Sequence, residues 1–294
     1  MKKLLAGILS GVLCIGLIGC SSSSSTTEES KEETTLEKVQ KQGYVTVGFA
    51  NEKPYAYTTP DGELTGEAVE VARAVLTEMG IKEMKGVLTE FGSLIPGLKA
   101  ERFDMITAGM FITPERCTEV DFANPEYSIG PAIAVKTGNP LNLNSYDDIK
   151  NNKDAKVAVM SGAIEHSYLT KAGIDAGQIQ IVPDNPSAVA ALQSGRVDTI
   201  TMSGPALQSL LDSTKDKNLE RVKDFDQTEV NGESVRGYGA TAFRKGDTEF
   251  REAFNQELEK MKESGELLKI LQKFGFTEQE LPGDQTAQGL CKAK

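Results

Sequence analysis

The sequence has little of what catalytic and metal centres draw on. Its 294 residues include no tryptophan, one histidine and four cysteines. With His166 the only imidazole, and no Cys-x-x-Cys or Cys/His spacing, the chain offers no zinc-type ligand set. Neither G-x-S-x-G nor G-x-x-x-x-G-K-[ST] occurs, so there is no nucleophile elbow and no phosphate-cradling loop for ATP. No cofactor is implied. Positive charge is also scarce. Lys and Arg number 32 against 43 Asp and Glu, a net charge of −11, which disfavours nucleic acid as a partner because it requires basic patches. Net charge bears on solubility and encounter, and says little about a buried site. Long apolar runs are missing except for Leu4–Ile18, which is shorter than the roughly 20 residues of a spanning helix.

That one run has a clear context. Met1-Lys2-Lys3 precedes it, and it ends in Leu17-Ile18-Gly19-Cys20, which looks like a bacterial lipobox. Residues 1–19 then read as a lipoprotein signal peptide. Lipid on Cys20 would hold the protein on the outer face of the cell membrane. The competing reading is a plain signal peptide or a single anchor helix. Against it, Ser21–Ser25 follow Cys20 at once, with no stop-transfer charge cluster. Residues 20–35 are polar and acidic, have nothing apolar to bury, and read as a disordered tether. Cys14 leaves with the leader, so Cys117 and Cys291 remain. In an exported chain they either pair, stapling the tail to the folded part, or stay as two buried or frayed thiols.

Beyond the tether, strands and helices alternate. Thr34 to Glu37 has capping-box spacing and opens a helix that Gly43 stops. Tyr44–Ala50 reads as a strand, Gly66–Met79 as an amphipathic helix, and Pro131–Lys136 as a further strand. Thr137-Gly138-Asn139-Pro140 breaks the pattern, and a second strand–helix series runs to about Ser234. The fold class is α/β, with 36–137 and 235–294 as the first lobe and 138–234 as the second. The crossings between lobes are expected near Thr137–Pro140 and Asn231–Val235.

The stretch Thr89–Tyr127 organises the first lobe. Leu94–Ala100 reads as a helix, Phe103–Thr107 as a strand, and Ala108–Phe111 as the loop that ends it. Thr113 and Pro114 are the N-cap and first residue of another helix. Ligands of α/β layers sit at the carboxyl ends of strands. That places Phe91, Phe111 and Arg116 at a candidate site. An arginine fork suits a carboxylate in two parallel hydrogen bonds.

The run Ala108-Gly109-Met110-Phe111-Ile112-Thr113-Pro114-Glu115-Arg116, followed by Val120-Asp121-Phe122 and Pro125-Glu126-Tyr127, resembles the amino-acid and polar-solute-binding proteins of ABC importers. Asn51-Glu52-Lys53-Pro54-Tyr55 and Gly86–Leu98 narrow the resemblance to the ectoine- and hydroxyectoine-binding members. It extends more loosely to about Phe276. It implies a two-lobed type II periplasmic-binding fold with the ligand cleft between lobes. It also implies a monomeric binder that hands its solute to a membrane permease, whose ATPase subunits hydrolyse the ATP.

On that resemblance, Glu52 faces a cationic ring, Tyr55, Phe91 and Phe111 wall it, and Arg116 takes its carboxylate. The backbone of Gly109 and Phe111 completes the rim. From the second lobe, Gly162, Ala163 and Ile164 would present backbone N–H groups to an anion at a helix start. Amino-acid binders have an S-G-T-T-like run there, whereas this chain has Ala163 and Ile164. Where such binders place an aspartate for the α-ammonium, this chain has Ser203, which argues against ordinary α-amino acids. A polar or basic amino-acid binder is the alternative, and a dehydratase of the same fold a more distant one. For such chemistry Glu52 is the one plausible base, though its surroundings suit charge pairing better, and His166, early in a helix after Ile164-Glu165, reads as a solvated or rim residue.

Overall fold

Two mixed β-sheets carry the chain, each laid down by short strands alternating with helices. The computed structural model describes residues 33–226, 229–230 and 233–292. The leader, Cys20 and the tether as far as residue 32 lie outside the described residues. The elements before the first crossing are α1 (Thr35–Gln42), β1 (Tyr44–Phe49), β2 (Tyr57–Thr58), β3 (Leu64–Thr65), α2 (Glu67–Glu78), β4 (Glu83–Leu88), α3 (Leu94–Lys99), β5 (Met105–Phe111), α4 (Pro114–Glu119), β6 (Val120–Phe122) and β7 (Tyr127–Ile129). Then follow β8 (Pro131–Lys136), α5 (Tyr146–Asn151), β9 (Val157–Met160), α6 (Ile164–Lys171), β10 (Ile179–Val182), α7 (Asn185–Gln193), β11 (Thr199–Ser203), α8 (Gly204–Thr214) and β12 (Leu219–Arg221). A hairpin of β13 (Glu229–Val230) and β14 (Glu233–Ser234) precedes β15 (Gly237–Arg244), α9 (Thr248–Glu263), α10 (Glu266–Lys273) and α11 (Ala287–Lys292).

The first sheet runs β4-β1-β5-β15-β6, with β7 also on β15. Strand β1 is parallel to β4 and β5, while β15 returns antiparallel to β5. The second sheet runs β10-β9-β11-β8-β12, with β10, β9 and β11 parallel and β8 antiparallel to β11. In both sheets, therefore, a parallel trio points its carboxyl ends the same way.

Local sequence explains most of these elements. Thr34 and Glu37 exchange hydrogen bonds in a capping box, and Gly43 ends α1 at φ +77°. Thr34 and Thr35 thus cap and begin a helix, so the expected tether stops short of them. Helix α2 buries Val69, Ala72, Val75 and Leu76, spaced to share one face. Ala72, Val75 and Leu76 share one core with Val45 and Val47 of β1 and Phe250 and Phe254 of α9, while Val69 packs with Phe49 and Ala56. Each fully buried Val, Leu or Phe side chain there contributes about 1.5–3 kcal/mol.

Three expectations are corrected. Ala108–Phe111 is not a loop but the end of β5, where Met110 and Phe111 pair with Ala240 and Gly239 of β15. The sheet partner, distant in sequence, extends the strand. Pro131–Lys136 does not belong with the first sheet. It pairs with β11 and β12, so the chain crosses at Gly130, ahead of the expected Thr137–Pro140. Its apolar run suits a central strand in either sheet, and only pairing decides which. The return begins in sheet one at Gly237, two residues after Val235. Arg236 ties the two crossings together, its Nε 2.9 Å from Ser128 Oγ and its Nη2 2.7 Å from Ser128 O.

Candidate functional site at the strand ends

The parallel strands deliver the predicted residues to one place. Past β1 the chain folds into a tight turn. In it the Glu52 N–H donates to Ala56 O at 2.8 Å and the Tyr55 N–H to Glu52 O at 2.9 Å. Glu52 and Tyr55 are thereby fixed together at the end of β1. The Tyr55 ring stacks on Tyr127, with centroids 5.5 Å apart and planes 15° from parallel. Tyr127 Oη in turn donates to Gly109 O at 2.9 Å. Gly109 sits at φ +62°, and a Cβ there would fall 2.6 Å from the Tyr55 ring, so only glycine fits beneath this stack. Phe91 is not at the end of β4 itself. It opens a single 3₁₀ turn, Phe91–Ser93, three residues past Leu88.

Helix α4 places the arginine. Thr113 Oγ1 accepts the Arg116 N–H at 3.2 Å, and Pro114 presets the first turn. The guanidinium is then held from three directions. Nη1 donates to Phe111 O at 2.6 Å and Nη2 to Gly162 O at 2.8 Å, while its carbon lies 5.6 Å from the centre of the Phe91 ring. Burial lowers its pKa, and the nearby Glu165 charge offsets part of that.

The second sheet meets these residues with its own strand ends. Ser203, at the end of β11, accepts a 2.8 Å hydrogen bond from Tyr55 Oη. Asn185, the first residue of α7, donates from Nδ2 to Glu52 Oε1 at 2.6 Å. Together with Arg116 and Gly162, these are three hydrogen bonds from one sheet's elements to the other's. The approach is close enough that a Cβ on Gly162, at φ +77°, would lie 2.8 Å from Gly92 Cα.

The start of α6 differs from expectation. Ala163 N–H donates to Met160 O at 3.1 Å, so one of the three donors expected to meet an anion is used internally, and the preceding Ser161 N–H is likewise committed, to Val182 O at 2.8 Å. The N–H of Glu165 engages its own carboxylate. An acid already occupies the positive end of this helix.

Together these groups enclose a cavity of about 30 Å³. Glu52, Tyr55, Phe91, Gly109, Phe111, Arg116, Ala163, Ile164 and Ser203 all line it. Gly162 takes part through the carbonyl that Arg116 holds. Sequence reasoning missed Met160, Glu165, Asn185 and Met202 in the lining. Met160 and Met202 lie in the last two residues of β9 and β11, a position the strand-end rule could have flagged, whereas Glu165 and Asn185 lie in the helices that follow β9 and β10. His166 is not among the lining residues.

The charges are unusual for a cavity this small. Burial raises the Glu52 carboxyl from 4.5 to about 8, with Glu165 adding to the rise and the Asn185 bond opposing it. Burial also raises Glu165, against the pull of its own N–H and of Arg116. Two buried acids, both raised, beside one arginine suit a ligand that brings positive charge. Among the described residues, no group of three or more His, Cys, Asp or Glu side chains is placed to hold a metal ion.

At one edge of the first lobe, Cys117 of α4 and Cys291 of α11 form a disulfide, with Cα atoms 5.7 Å apart. Leu290 and Cys291 pack onto the apolar cluster of Leu94, Phe103 and Phe122.

Comparison with known proteins agrees with this layout. The family model for bacterial extracellular solute-binding proteins, family 3, matches residues 45–278. The crystal structure of EhuB in complex with hydroxyectoine superposes with a TM-score of 0.79 at 37% identity, covering 88% of this chain and 98% of that one. A probable amino-acid ABC transporter periplasmic-binding protein of Sinorhizobium fredii is 36% identical over 261 residues, 87% of this chain and 86% of the relative. The L-arginine-binding protein of Pseudomonas aeruginosa is 30% identical over 225 residues, 75% and 83% of the respective chains. With two lobes, a cleft at facing strand ends and a family match over most of its length, the chain belongs to the family 3 bacterial extracellular solute-binding proteins, the solute-capturing components of ABC importers.

Proposed function

We propose that the protein captures ectoine or hydroxyectoine, a ring amidinium bearing a carboxylate, and delivers it to an importer permease. The observation that carries this reading is the composition of one cavity wall. Glu52, Arg116, Tyr55, Phe91 and Phe111 line the same small cavity. A flat cation against aromatic faces gains roughly 0.5–2 kcal/mol per desolvated contact. Glu52 accepts from the amidinium, and Arg116 takes the carboxylate. Ser203 supplies no charge where an α-ammonium would need one. The similarity to a hydroxyectoine complex supports the same ligand class.

The mechanism is closure. Each sheet contributes half of the wall, and rotation about the crossings at Gly130 and Val235–Arg236 opens and closes it. Lipid on Cys20 would keep the binder near its permease, and labelling with a fatty-acid probe in wild type and Cys20→Ala tests that part. The role we propose is binding without catalysis, with Glu52 and Glu165 placed to meet the charge of the ligand.

One observation favours a second ligand class. Glu165 adds a second acid against a single Arg116, so a basic amino acid with one net positive charge would balance the cavity. Thermal unfolding of the full chain with ectoine, L-arginine and L-glutamine separates the readings. Stabilisation by ectoine alone is expected. Stabilisation by arginine alone would replace the ligand while leaving the transport role intact.

A further inference from the structure

Asn185 carries an unused hydrogen-bond acceptor inside the closed site. The residue is 3% exposed, and its Oδ1 has no partner, although its Nδ2 is committed to Glu52 at 2.6 Å. A buried amide oxygen without a donor is costly, and such groups in native structures call for an explanation. Asn185 also lines the cavity, and its amide lies against the carboxylate of Glu52. The 2.6 Å bond therefore holds two acceptors side by side, a carboxylate from the first lobe and an amide oxygen from the second. Neighbouring acceptors of this kind match a cation that presents two or more N–H groups in a fork, as amidinium and guanidinium ions do. A quaternary ammonium has no N–H and leaves the Asn185 oxygen unpaired.

We infer that Asn185 is a specificity-determining residue, accepting an N–H from the ligand cation next to Glu52 and so restricting the site to cations with several N–H donors. The inference rests on the reading of this cavity as the solute site and deepens it. It selects by N–H count, where aromatic walls alone would accept any flat or rounded cation. The selection comes from the penalty on the wrong ligand. A site built to receive a hydrogen bond rejects an analogue that cannot make it. It also couples recognition to closure, because the acceptor pair exists only when α7 meets the turn after β1.

The test is calorimetric titration of the full chain, and of Asn185→Leu, with ectoine, L-arginine and glycine betaine. Wild type is expected to bind at least one of the two N–H solutes and to bind glycine betaine at least roughly tenfold more weakly. Asn185→Leu is expected to lose roughly tenfold to a hundredfold on the N–H solute. If the leucine variant lacks a cooperative unfolding transition, Asn185→Ala replaces it with the same expectation. Three results overturn the inference: glycine betaine binding as well as the N–H solutes, a change below threefold in the folded variant, or no binding of either N–H solute. Binding of arginine without ectoine, with the loss in the variant, would sink the ectoine reading and leave the role of Asn185 standing.

Discussion

Arg116 shows most directly how one residue is made ready. Its fork is held by the carbonyls of Phe111 and Gly162 and faces Phe91, so little side-chain freedom remains to lose when a carboxylate arrives. Arg116→Ala removes the charge partner and one link between lobes. A loss of about 2–5 kcal/mol in binding is expected, read by titration, with the unfolding midpoint nearly unchanged. Glu52 gives a second prediction with a defined sign. Its carboxyl titrates at about 8 without ligand, and a bound cation favours its ionised form. Below that pH, binding therefore releases a proton. Affinity is expected to rise by up to about tenfold per pH unit from 6 toward 8 and to level off above it. Glu52→Gln is expected to flatten this dependence, and an unchanged slope in that variant would move the titrating group elsewhere.

At the scale of elements, α11 is the clearest case of structure beyond the binding core. It packs on α4 and is fixed by the bridge between Cys117 and Cys291, which are 174 residues apart in sequence. Cross-linking over so long a loop removes unfolded-state freedom, so Cys117→Ser is expected to cost about 2–4 kcal/mol in denaturant unfolding while ligand affinity holds.

Elements also show what was legible in the sequence. Helix α1 carries its cap in Thr34 and Glu37 and its stop in Gly43, and α4 announces itself through Thr113-Pro114, so both were readable. Local signals could not place the end of β5 or the home of β8, because long-range pairing with β15 and β11 determines both. The same limit divided the site. The first-lobe residues fall in one continuous stretch with recognisable punctuation. Glu165 and Asn185 reach the cavity only because a second sheet turns its strand ends toward the first, which no local pattern encodes.

At the scale of the molecule, closure and stability draw on different acids. Glu67 at the start of α2 and Glu126 before β7 are both fully buried and near one another. Thr241 donates to Glu126 through its N–H and Oγ1, whereas both Glu67 oxygens lack partners. Burial raises Glu67 well above its ordinary value and Glu126 to about 7. In the unfolded chain both ionise near 4.5, so folding favours the protonated forms. The stability they support is complete below about pH 4.5. It then declines by up to about 1.4 kcal/mol per pH unit per group as pH rises. The Glu126 contribution levels off above about 7, and that of Glu67 continues higher. Thermal midpoints between pH 5 and 8 are expected to fall accordingly, and Glu67→Gln to reduce the slope. A midpoint that rises over this range would mean the pair is not protonated in the folded state.

Function at this scale is the joining of two half-sites. Three hydrogen bonds cross between the lobes at the cavity, from Arg116, Asn185 and Tyr55. The solute is expected to bridge the lobes at the same groups. Calorimetric titration of the full chain with ectoine at neutral pH, repeated in two buffers of different ionisation heat, tests this most directly. One-to-one binding, with a heat that differs between buffers by the release of a proton, is the expected result. Absence of binding, or binding with no proton released, would contradict a cation held at Glu52 between the two lobes.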